Sequence, residues 1–247
     1  MQARTVVGEA LDLGLDVLGV HVHVGSQLAD FDAQAETIVR LAGFVASCRD
    51  ELGWTAQVAD LGGGFGIRHH PADEVPEAVD LAASAASTAR LAFVEAGLPK
   101  PEIWLEPGRS LVGRAGVTLY RVGSVKRLSE RTWVAIDGGM SDNPRPQLYD
   151  ARYTALSATR VDEPVDEVVS VAGMHCESGD VLIDDVALPS PRRGDLLAVP
   201  ATGAYTLAMA SNYNGVPRPA AVLVRDGSAR VIRARETVAD LLAHEVP

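Results

Sequence analysis

Residues 57–66 read Gln-Val-Ala-Asp-Leu-Gly-Gly-Gly-Phe-Gly, an apolar run that leads directly into a glycine cluster. Its first half predicts a strand over residues 57–61, and the glycines that follow let backbone amides approach a bound anion closely. A phosphate is the usual guest of such a loop, and a tight strand-to-helix turn without a ligand is the alternative. The spacing differs from the Gly-x-Gly-x-x-Gly pattern of dinucleotide-binding loops.

Strand and helix patterns alternate on both sides of this stretch. Residues 16–24 predict a strand, and apolar residues at helical spacing follow Asp30, a suitable N-cap. Another helix is predicted over residues 75–93 and a third strand over residues 102–105. This order is typical of parallel βα units, so we expect an α/β architecture, either a small open layer or the last part of something longer.

Each predicted strand ends in polar or glycine-rich residues, and ligands bind at this end of parallel strands. His21 and His23 face the same side of the first strand. They could bind a metal, stack on a planar ring or lie in the core, and no carboxylate or thiol at ligand spacing supports the metal. Glu106 and Arg109 follow the third strand, either as a structural ion pair or as partners of a ring nitrogen and an anion.

The periodicity changes after residue 112. Short runs rich in β-branched residues, separated by turn residues, lie at residues 117–122, 132–136, 167–172, 196–199 and 220–225. A short helix is predicted near the end, where Thr237 and Asp240 form a capping-box pattern. We therefore expect two parts, residues 1–112 with βα units and residues 113–247 with an antiparallel β-sandwich or barrel.

Several loops carry reactive or charged side chains. Cys176 lies beside acidic residues in a turn, where it is a poor nucleophile but a serviceable proton donor, and a structural cysteine is the alternative. Arg145 and Tyr149 lie in a proline-rich loop, with solvated charge as the alternative. We expect His69 and His70 to be solvated loop residues.

The composition excludes several classes of protein. The formal net charge is −11, from 22 basic and 33 acidic residues, whereas a protein that binds nucleic-acid phosphates needs a basic face. No apolar run approaches the ~20 residues of a membrane helix, and the chain's 2 cysteines are too few for a disulfide scaffold. We expect a reduced, cytoplasmic protein whose partners are small molecules or other protein chains, with no nucleic acid and no membrane.

Several motifs together resemble the alanine racemase-like, pyridoxal-phosphate-dependent decarboxylases, and most of all their diaminopimelate decarboxylase branch. The motifs lie, in order, at residues 21–27, 60–66, 106–109, 137–146, 175–180 and 203–205. The resemblance implies the last three strands of a pyridoxal-phosphate-binding (β/α)8 TIM-type barrel, followed by a C-terminal antiparallel β domain. It also implies decarboxylation of meso-2,6-diaminopimelate to L-lysine and carbon dioxide, in a homodimer whose site is shared across the interface.

The same resemblance gives each motif a role toward pyridoxal 5'-phosphate and an amino-acid substrate. It implies that His23 stacks on the cofactor ring and that Glu106 holds the ring nitrogen protonated. The other implied cofactor contacts are Ser26, Gly63, Gly64, Pro107, Gly108, Arg109 and Tyr205. The implied substrate contacts are Arg109, Arg145, Tyr149, Glu177 and Tyr205. Cys176 would donate a proton in the reaction. Cys176 and Glu177 would belong to the active site of the neighbouring chain. The resemblance implies no metal.

One feature of the family has no counterpart in this sequence. The family's Schiff-base lysine lies in a Tyr-Ala-x-Lys-Ala-like stretch near the start of its barrel, and neither Lys100 nor Lys126 has such surroundings. We therefore expect a C-terminal portion that is inactive alone, with a long apolar strand edge at residues 16–24 that favours aggregation.

The alternatives concern the substrate and the presence of catalysis. One is a decarboxylase of the same family that acts on ornithine, arginine or a carboxylated polyamine such as carboxynorspermidine. Another is a lysine-less relative that regulates a partner subunit without catalysis. Glu177 together with Arg145 favours a substrate whose distal end bears both an amine and a carboxylate, as in diaminopimelate.

Overall fold

The computed structural model describes residues 2–246, and the chain divides into two compact units. The first, here the α/β unit, comprises Met1–Arg68 and Glu74–Leu111. The second, here the β unit, comprises His69–Asp73 and Val112–Pro247. The five-residue segment His69–Asp73 thus groups with the β unit, although the residues on both sides of it belong to the α/β unit.

Helices and strands alternate through the first part of the chain. In order they are α1 (Gln2–Asp12), β1 (Gly19–His21), α2 (Phe31–Leu52), β2 (Val58–Gly63), α3 (Ala78–Glu95), β3 (Glu102–Glu106) and α4 (Gly108–Val112). The strands form one sheet in the order β1-β2-β3, and both neighbouring pairs are parallel. The predicted parallel βα units are confirmed.

Helix α2 shows how the local sequence sets an element's limits. The Asp30 side chain accepts the Asp32 N–H at 2.8 Å and caps the first turn. Gly53, with a φ of 67°, ends the helix in the left-handed conformation. Ile38 and Val45 of the predicted apolar face are fully buried in the core of this unit, whereas Phe31 and Val39 of the same pattern are exposed.

Strand β1 is shorter than the predicted strand over residues 16–24. The Trp54 indole donates to the Val17 carbonyl at 2.8 Å. The backbone N–H groups of Gln57 and Val58 both donate to the carbonyl of Leu18. The Val17 carbonyl is therefore occupied by a side-chain donor, and pairing with β2 begins only at Leu18 and Gly19, so the apolar run over residues 16–24 is not one continuous strand.

The β unit is built on a six-stranded sheet in the order β6-β9-β4-β5-β7-β8, with a separate two-stranded hairpin. Its strands are β4 (Val117–Arg127), β5 (Thr132–Ile136), β6 (Leu156–Ser157), β7 (Glu167–Ala172), β8 (Val181–Leu188), β9 (Leu196–Pro200), β10 (Ala221–Arg225) and β11 (Ser228–Arg233). Its short helices are α5 (Arg145–Tyr149) and α6 (Val238–Leu241). Val134, Val171 and Val199 are fully buried in its core.

The antiparallel β domain is confirmed, with one difference. Neighbouring strands of the six-stranded sheet pair antiparallel except β5 and β7, which are parallel. Parallel neighbours need a long connection that returns the chain to the same end of the sheet. The segment between Ile136 and Glu167, which holds α5 and β6, is that connection.

Two features of the last residues follow directly from the sequence. Asp226 and Gly227 both have positive φ, at 51° and 74°, and close the β10–β11 hairpin as a two-residue turn. The predicted capping box is confirmed: the Thr237 side chain accepts the Asp240 N–H, and the Asp240 carboxylate accepts the Thr237 N–H. None of the described helices has the length and apolar character that crossing a membrane requires.

Glu236 anchors the chain after β11, and its ionisation gives a pH-dependent prediction. Hydrogen bonds from the Arg218 side chain, the Arg218 backbone and Asn212 lower the pKa of Glu236 from 4.5 to about 2. A lowered carboxyl pKa stabilises the fold above pH 4.5, and this contribution is lost as the pH falls toward 2. We expect an NMR titration of the Glu236 carboxyl carbon to show the low midpoint, and Arg218→Leu to move it upward.

Arg230 provides the control for that titration, because its side chain bonds neither Glu236 nor Asn212. Arg230→Leu should leave the Glu236 midpoint where it is. An ordinary glutamate midpoint in the unaltered chain would contradict the anchoring role.

Candidate active site

The carboxyl ends of the three parallel strands bring three ionisable side chains together. His21 on β1 pairs in register with Asp60 on β2, and Glu106 ends β3. His21 Nε2 lies 3.3 Å from Glu106 Oε2, and one ligand atom from each of the three residues lies within 4.8 Å of the others. All three strand ends therefore contribute to one site, as the sequence predicted.

No carboxylate lies at ligand spacing from His21 in the sequence. The fold nevertheless brings two carboxylates, those of Asp60 and Glu106, next to it. The three residues have the donor types of a cation site. Exposed acidic groups of this kind are common without an ion, and His21 and Glu106 are both exposed. The cluster by itself assigns no metal.

Asp60 and His23 hold the glycine loop in place. The Asp60 carboxylate accepts the Gly62 N–H at 2.9 Å, which fixes the turn at the end of β2. His23 Nδ1 lies 3.4 Å from the Gly63 nitrogen and accepts its N–H. The imidazole of His23 thus lies directly against the loop.

The glycines are required because three backbones meet here. A Cβ atom added to Gly63 would lie 2.0 Å from the Glu106 carbonyl oxygen. One added to Gly64 would lie 1.8 Å from the Gly25 carbonyl oxygen, and the Gly64 φ of +85° disfavours any other residue. The loop is therefore a cradle whose walls are the strand ends themselves.

The remaining predicted cofactor residues of the α/β unit follow strands β1 and β3 in the chain. Ser26 and Gly108 are exposed and Pro107 is half-buried, whereas Arg109 is buried at the start of α4. A guanidinium, a hydroxyl and glycine amides suit a phosphate, and the Glu106 carboxylate suits a protonated ring nitrogen. The residues present therefore fit a phosphorylated pyridine such as pyridoxal phosphate.

In the β unit, Arg145 is buried and not solvated. Its Nη1 donates to the Tyr153 hydroxyl at 2.5 Å and lies 3.0 Å from His69 Nε2. His69 is also buried, and its ring packs edge-on against Tyr153 with the centroids 5.4 Å apart. The prediction that His69 is a solvated loop residue is therefore wrong, because the loop that carries it packs within the β unit. Tyr149 ends α5 and is exposed.

Cys176 and Glu177 lie in an exposed turn of the β unit. Cys176 is a free, exposed thiol. The Tyr213 hydroxyl donates a short hydrogen bond to Glu177, and this bond raises the pKa of Tyr213. Glu177 is therefore held in one orientation by a residue that the sequence did not single out.

Asp180 fixes the base of that turn. Its carboxylate accepts the backbone N–H of Met140 at 2.7 Å and that of His175 at 2.9 Å. Asp180 is buried, so these bonds join two loops without competition from water. The turn with Cys176 and the loop that leads to Arg145 consequently share one buried carboxylate.

A half-buried carboxylate lies on the loop that leads to Arg145. Asp142 accepts a short hydrogen bond from the Tyr120 hydroxyl, and its other oxygen accepts the Gly139 N–H at 2.7 Å. Burial raises the pKa of Asp142, and burial beside that carboxylate raises the pKa of Tyr120 well above its usual value. The pair keeps the loop ahead of Arg145 rigid.

Tyr205, the last predicted contact, adopts an unusual backbone conformation. Its φ is +62°, which a bulky residue adopts only when its surroundings impose it. The nearby backbones of Gly116 and Gly203 approach so closely that a Cβ on Gly116 would lie 2.3 Å from the Gly203 Cα. Tyr205 is half exposed, so the strained turn presents its ring to solvent.

Comparisons with known proteins agree with this geometry. Residues 1–113 match the family model of the pyridoxal-dependent decarboxylases, in its pyridoxal-binding domain. The predicted fold, the last three strands of a TIM-type barrel followed by an antiparallel β domain, is confirmed by the solved structures that the chain resembles.

Named relatives of this decarboxylase family cover nearly all of the chain. Diaminopimelate decarboxylase from Bacillus subtilis is 47% identical over 237 residues, which are 94% of this chain and 53% of that protein. The Actinosynnema pretiosum enzyme of the same name is 49% identical over 236 residues, 94% of this chain and 52% of that protein. The chain spans about half the length of the curated relatives it matches.

A solved diaminopimelate decarboxylase of the same family, from M. jannaschii in complex with L-lysine, has a TM-score of 0.90 to this chain. It is 38% identical, and the match covers 99% of this chain and 56% of that one. The similarity therefore extends through both units, beyond the residues that the family model matches.

Proposed function

We propose that this chain is the C-terminal part of a diaminopimelate decarboxylase. The whole protein would convert meso-2,6-diaminopimelate into L-lysine and carbon dioxide. The observation that carries the proposal is the convergence of His23, the Gly62–Gly64 backbone and Glu106 at the ends of three parallel strands. The names of the relatives, which match along 94% of the chain, support the choice of substrate.

Pyridoxal 5'-phosphate is the proposed cofactor, and it supplies a ring that withdraws electrons from the bond to the departing carboxylate. The chain's own residues bind and orient it. His23 stacks on the ring, and Ser26, Gly63, Gly64, Gly108 and Arg109 hold the phosphate. Glu106 would keep the ring nitrogen protonated, and His21 contacts Oε2 of the same carboxylate. Pro107 and Tyr205 complete the proposed contacts.

Residues of the β unit act on the substrate in this proposal. Arg145 and Glu177 match the carboxylate and amine of the distal end of diaminopimelate, and Tyr213 orients Glu177. Tyr149 and Arg109 add polar contacts. The Cys176 thiol donates the proton that replaces the lost carboxyl group. We place Cys176 and Glu177 in the neighbouring chain's site, in a cytoplasmic homodimer.

We divide the protein at residue 112, with the C-terminal part of the barrel before it and the β domain after it. Neither Lys100 nor Lys126 lies in a motif that resembles the family's cofactor lysine, so residues 1–247 alone should not decarboxylate diaminopimelate. The missing amine should come from the part of the barrel that this chain does not match.

A chimera tests the proposal. The part of the Bacillus subtilis relative that this chain does not match is fused ahead of it, and carbon dioxide release is measured with pyridoxal phosphate present. We expect diaminopimelate turnover by the chimera and none by residues 1–247 alone. We also expect more soluble protein from the chimera, because the added strands cover sheet edges that are otherwise unpaired.

Ornithine and arginine serve as comparison substrates. Turnover of ornithine without turnover of diaminopimelate would assign the chain to another decarboxylase of the family. A chimera that folds and binds pyridoxal phosphate but decarboxylates none of the three would favour the regulatory relative instead.

A further inference from the structure

Three buried side chains of the β unit form a cluster around the Arg145 guanidinium. The exposed fractions are 5% for Arg145, 6% for His69 and 2% for Tyr153. The Arg145 guanidinium carbon also lies 5.6 Å from the centre of the Tyr153 ring, within cation–π range. Such an enclosed cation lowers the stability of the fold unless its charge is compensated.

No carboxylate compensates it within the part of the chain that the structure describes. The hydrogen bonds of the Arg145 guanidinium go to His69 and the Tyr153 hydroxyl, both neutral acceptors, and none of the described Asp or Glu side chains lies within 4.0 Å of it. An anion from outside the chain would supply the compensation that the described carboxylates do not.

Both contacts use the same nitrogen of Arg145. His69 and Tyr153 each bond Nη1, whereas Nε and Nη2 bond none of the described residues. Nε–H and Nη2–H point in parallel and form the edge that grips a carboxylate with two hydrogen bonds. Engaging Nη1 therefore fixes the plane of the guanidinium and leaves its bidentate edge for a ligand.

The contact also defines the state of His69. A guanidinium only donates, so the 3.0 Å contact makes His69 Nε2 the acceptor and places the ring proton on Nδ1. Asp73 holds the same loop, because its Oδ2 accepts the backbone N–H of His69 and of His70 at 2.9 Å. Neutral His69 is thus a fixed acceptor on an anchored loop.

We propose that His69 is a positioning residue that, together with Tyr153, aims the bidentate edge of Arg145 at the distal carboxylate of the amino-acid substrate. The inference rests on the proposed function and adds to it the residue that sets specificity for a distal end bearing a carboxylate. His69 touches neither the substrate nor the cofactor in this role. It acts through Arg145.

Two ligands that differ at the distal end test the role in the holoenzyme chimera. L-Lysine keeps the distal amine and carboxylate of diaminopimelate, whereas cadaverine has the amine alone. We expect His69→Leu to raise the Kd of L-lysine, measured by calorimetry, by about 10-fold or more, because it removes a hydrogen bond that orients the charged Arg145 guanidinium. The Kd of cadaverine should stay within about 2-fold.

Kinetics and two further variants separate positioning from general damage. His69→Leu should raise the KM for diaminopimelate while kcat changes little, because the bond that breaks lies at the other end of the substrate. His69→Gln offers an amide oxygen near the place of Nε2 and should restore most of the lysine affinity. His70→Leu, next in the chain and without a bond to Arg145, should behave as the unaltered protein.

Three results would overturn the inference: equal losses of lysine and cadaverine affinity, failure of His69→Gln to restore lysine affinity, and an imidazole ¹⁵N spectrum that places the His69 proton on Nε2. The spectrum needs no substituted protein, so it decides the matter even where His69→Leu fails to fold. Absence of turnover by the unaltered chimera would instead contradict the proposed function, and the lysine and cadaverine affinities would still decide the role of His69.

Discussion

The Gly64→Ala variant of the chimera should bind pyridoxal phosphate at least about 100-fold more weakly than the unaltered protein, a loss of ~2.7 kcal/mol. The new Cβ would lie 1.8 Å from the Gly25 carbonyl oxygen, so the loop after β1 and the glycine loop must separate. The φ of +85° adds a backbone penalty of ~1–2 kcal/mol for a non-glycine residue. The cradle for the phosphate then opens, and the loss is read from a titration of cofactor absorbance.

Gly43→Ala is the matched control. Gly43 lies in the middle of α2, where an added Cβ meets nothing within 4 Å. Alanine is the better helix former by ~1 kcal/mol, so the variant should be slightly more stable with the same cofactor affinity. Unchanged affinity in Gly64→Ala, with the fold intact, would show that the loop does not hold the phosphate.

Asp180→Ala should lower the free energy of unfolding of the chimera by on the order of 3 kcal/mol. The substitution leaves the half-buried backbone N–H groups of Met140 and His175 without their acceptor. Urea unfolding, followed by circular dichroism, measures the loss. Catalysis should fall further than stability alone explains, because the turn with Cys176 and Glu177 is no longer fixed to the loop before Arg145.

Two further substitutions test this interpretation. Asp180→Asn keeps one acceptor oxygen and should show about half of the destabilisation. Asp184→Ala removes an exposed carboxylate that lies 3.7 Å from Arg131, and the change should stay below about 1 kcal/mol. An Asp180→Ala variant as stable as Asp184→Ala would show that the two backbone bonds do not hold these loops together.

The part of the fold that the sequence predicted well is the part with local causes. The helices of the α/β unit follow from apolar spacing and from caps such as Asp30 and Gly53. Each cap acts within a few residues of the helix end that it sets. Strand β8 was missed, since its alternation is interrupted by Asp184 and Asp185, both exposed on the strand. The parallel pairing of β5 with β7 has no local signal at all, because it depends on where a 30-residue connection returns the chain.

The residues of the candidate site also divide into those with a local sequence signal and those without one. Strand ends with polar residues pointed to His23, the glycine loop and Glu106, because parallel strands bring such ends to one edge. His69 was misjudged, since its partner Arg145 lies 76 residues further along the chain. The proposed substrate residues are held by hydrogen bonds between Tyr153 and Arg145 and between Tyr213 and Glu177, and by the loops that Asp180 joins. A hydroxyl or carboxylate outside regular structure carries no sequence signal for such a role.

The segment His69–Asp73 has a consequence for synthesis on the ribosome. The ribosome makes this segment before the rest of the β unit, and Arg145 is added 76 residues after His69. Until translation passes Tyr153, the nascent α/β unit must carry the segment without the Arg145 and Tyr153 side chains that His69 contacts in the finished protein. Its docking is therefore a late folding event, and expression of residues 1–112 alone would leave the loop without the partners that bury it.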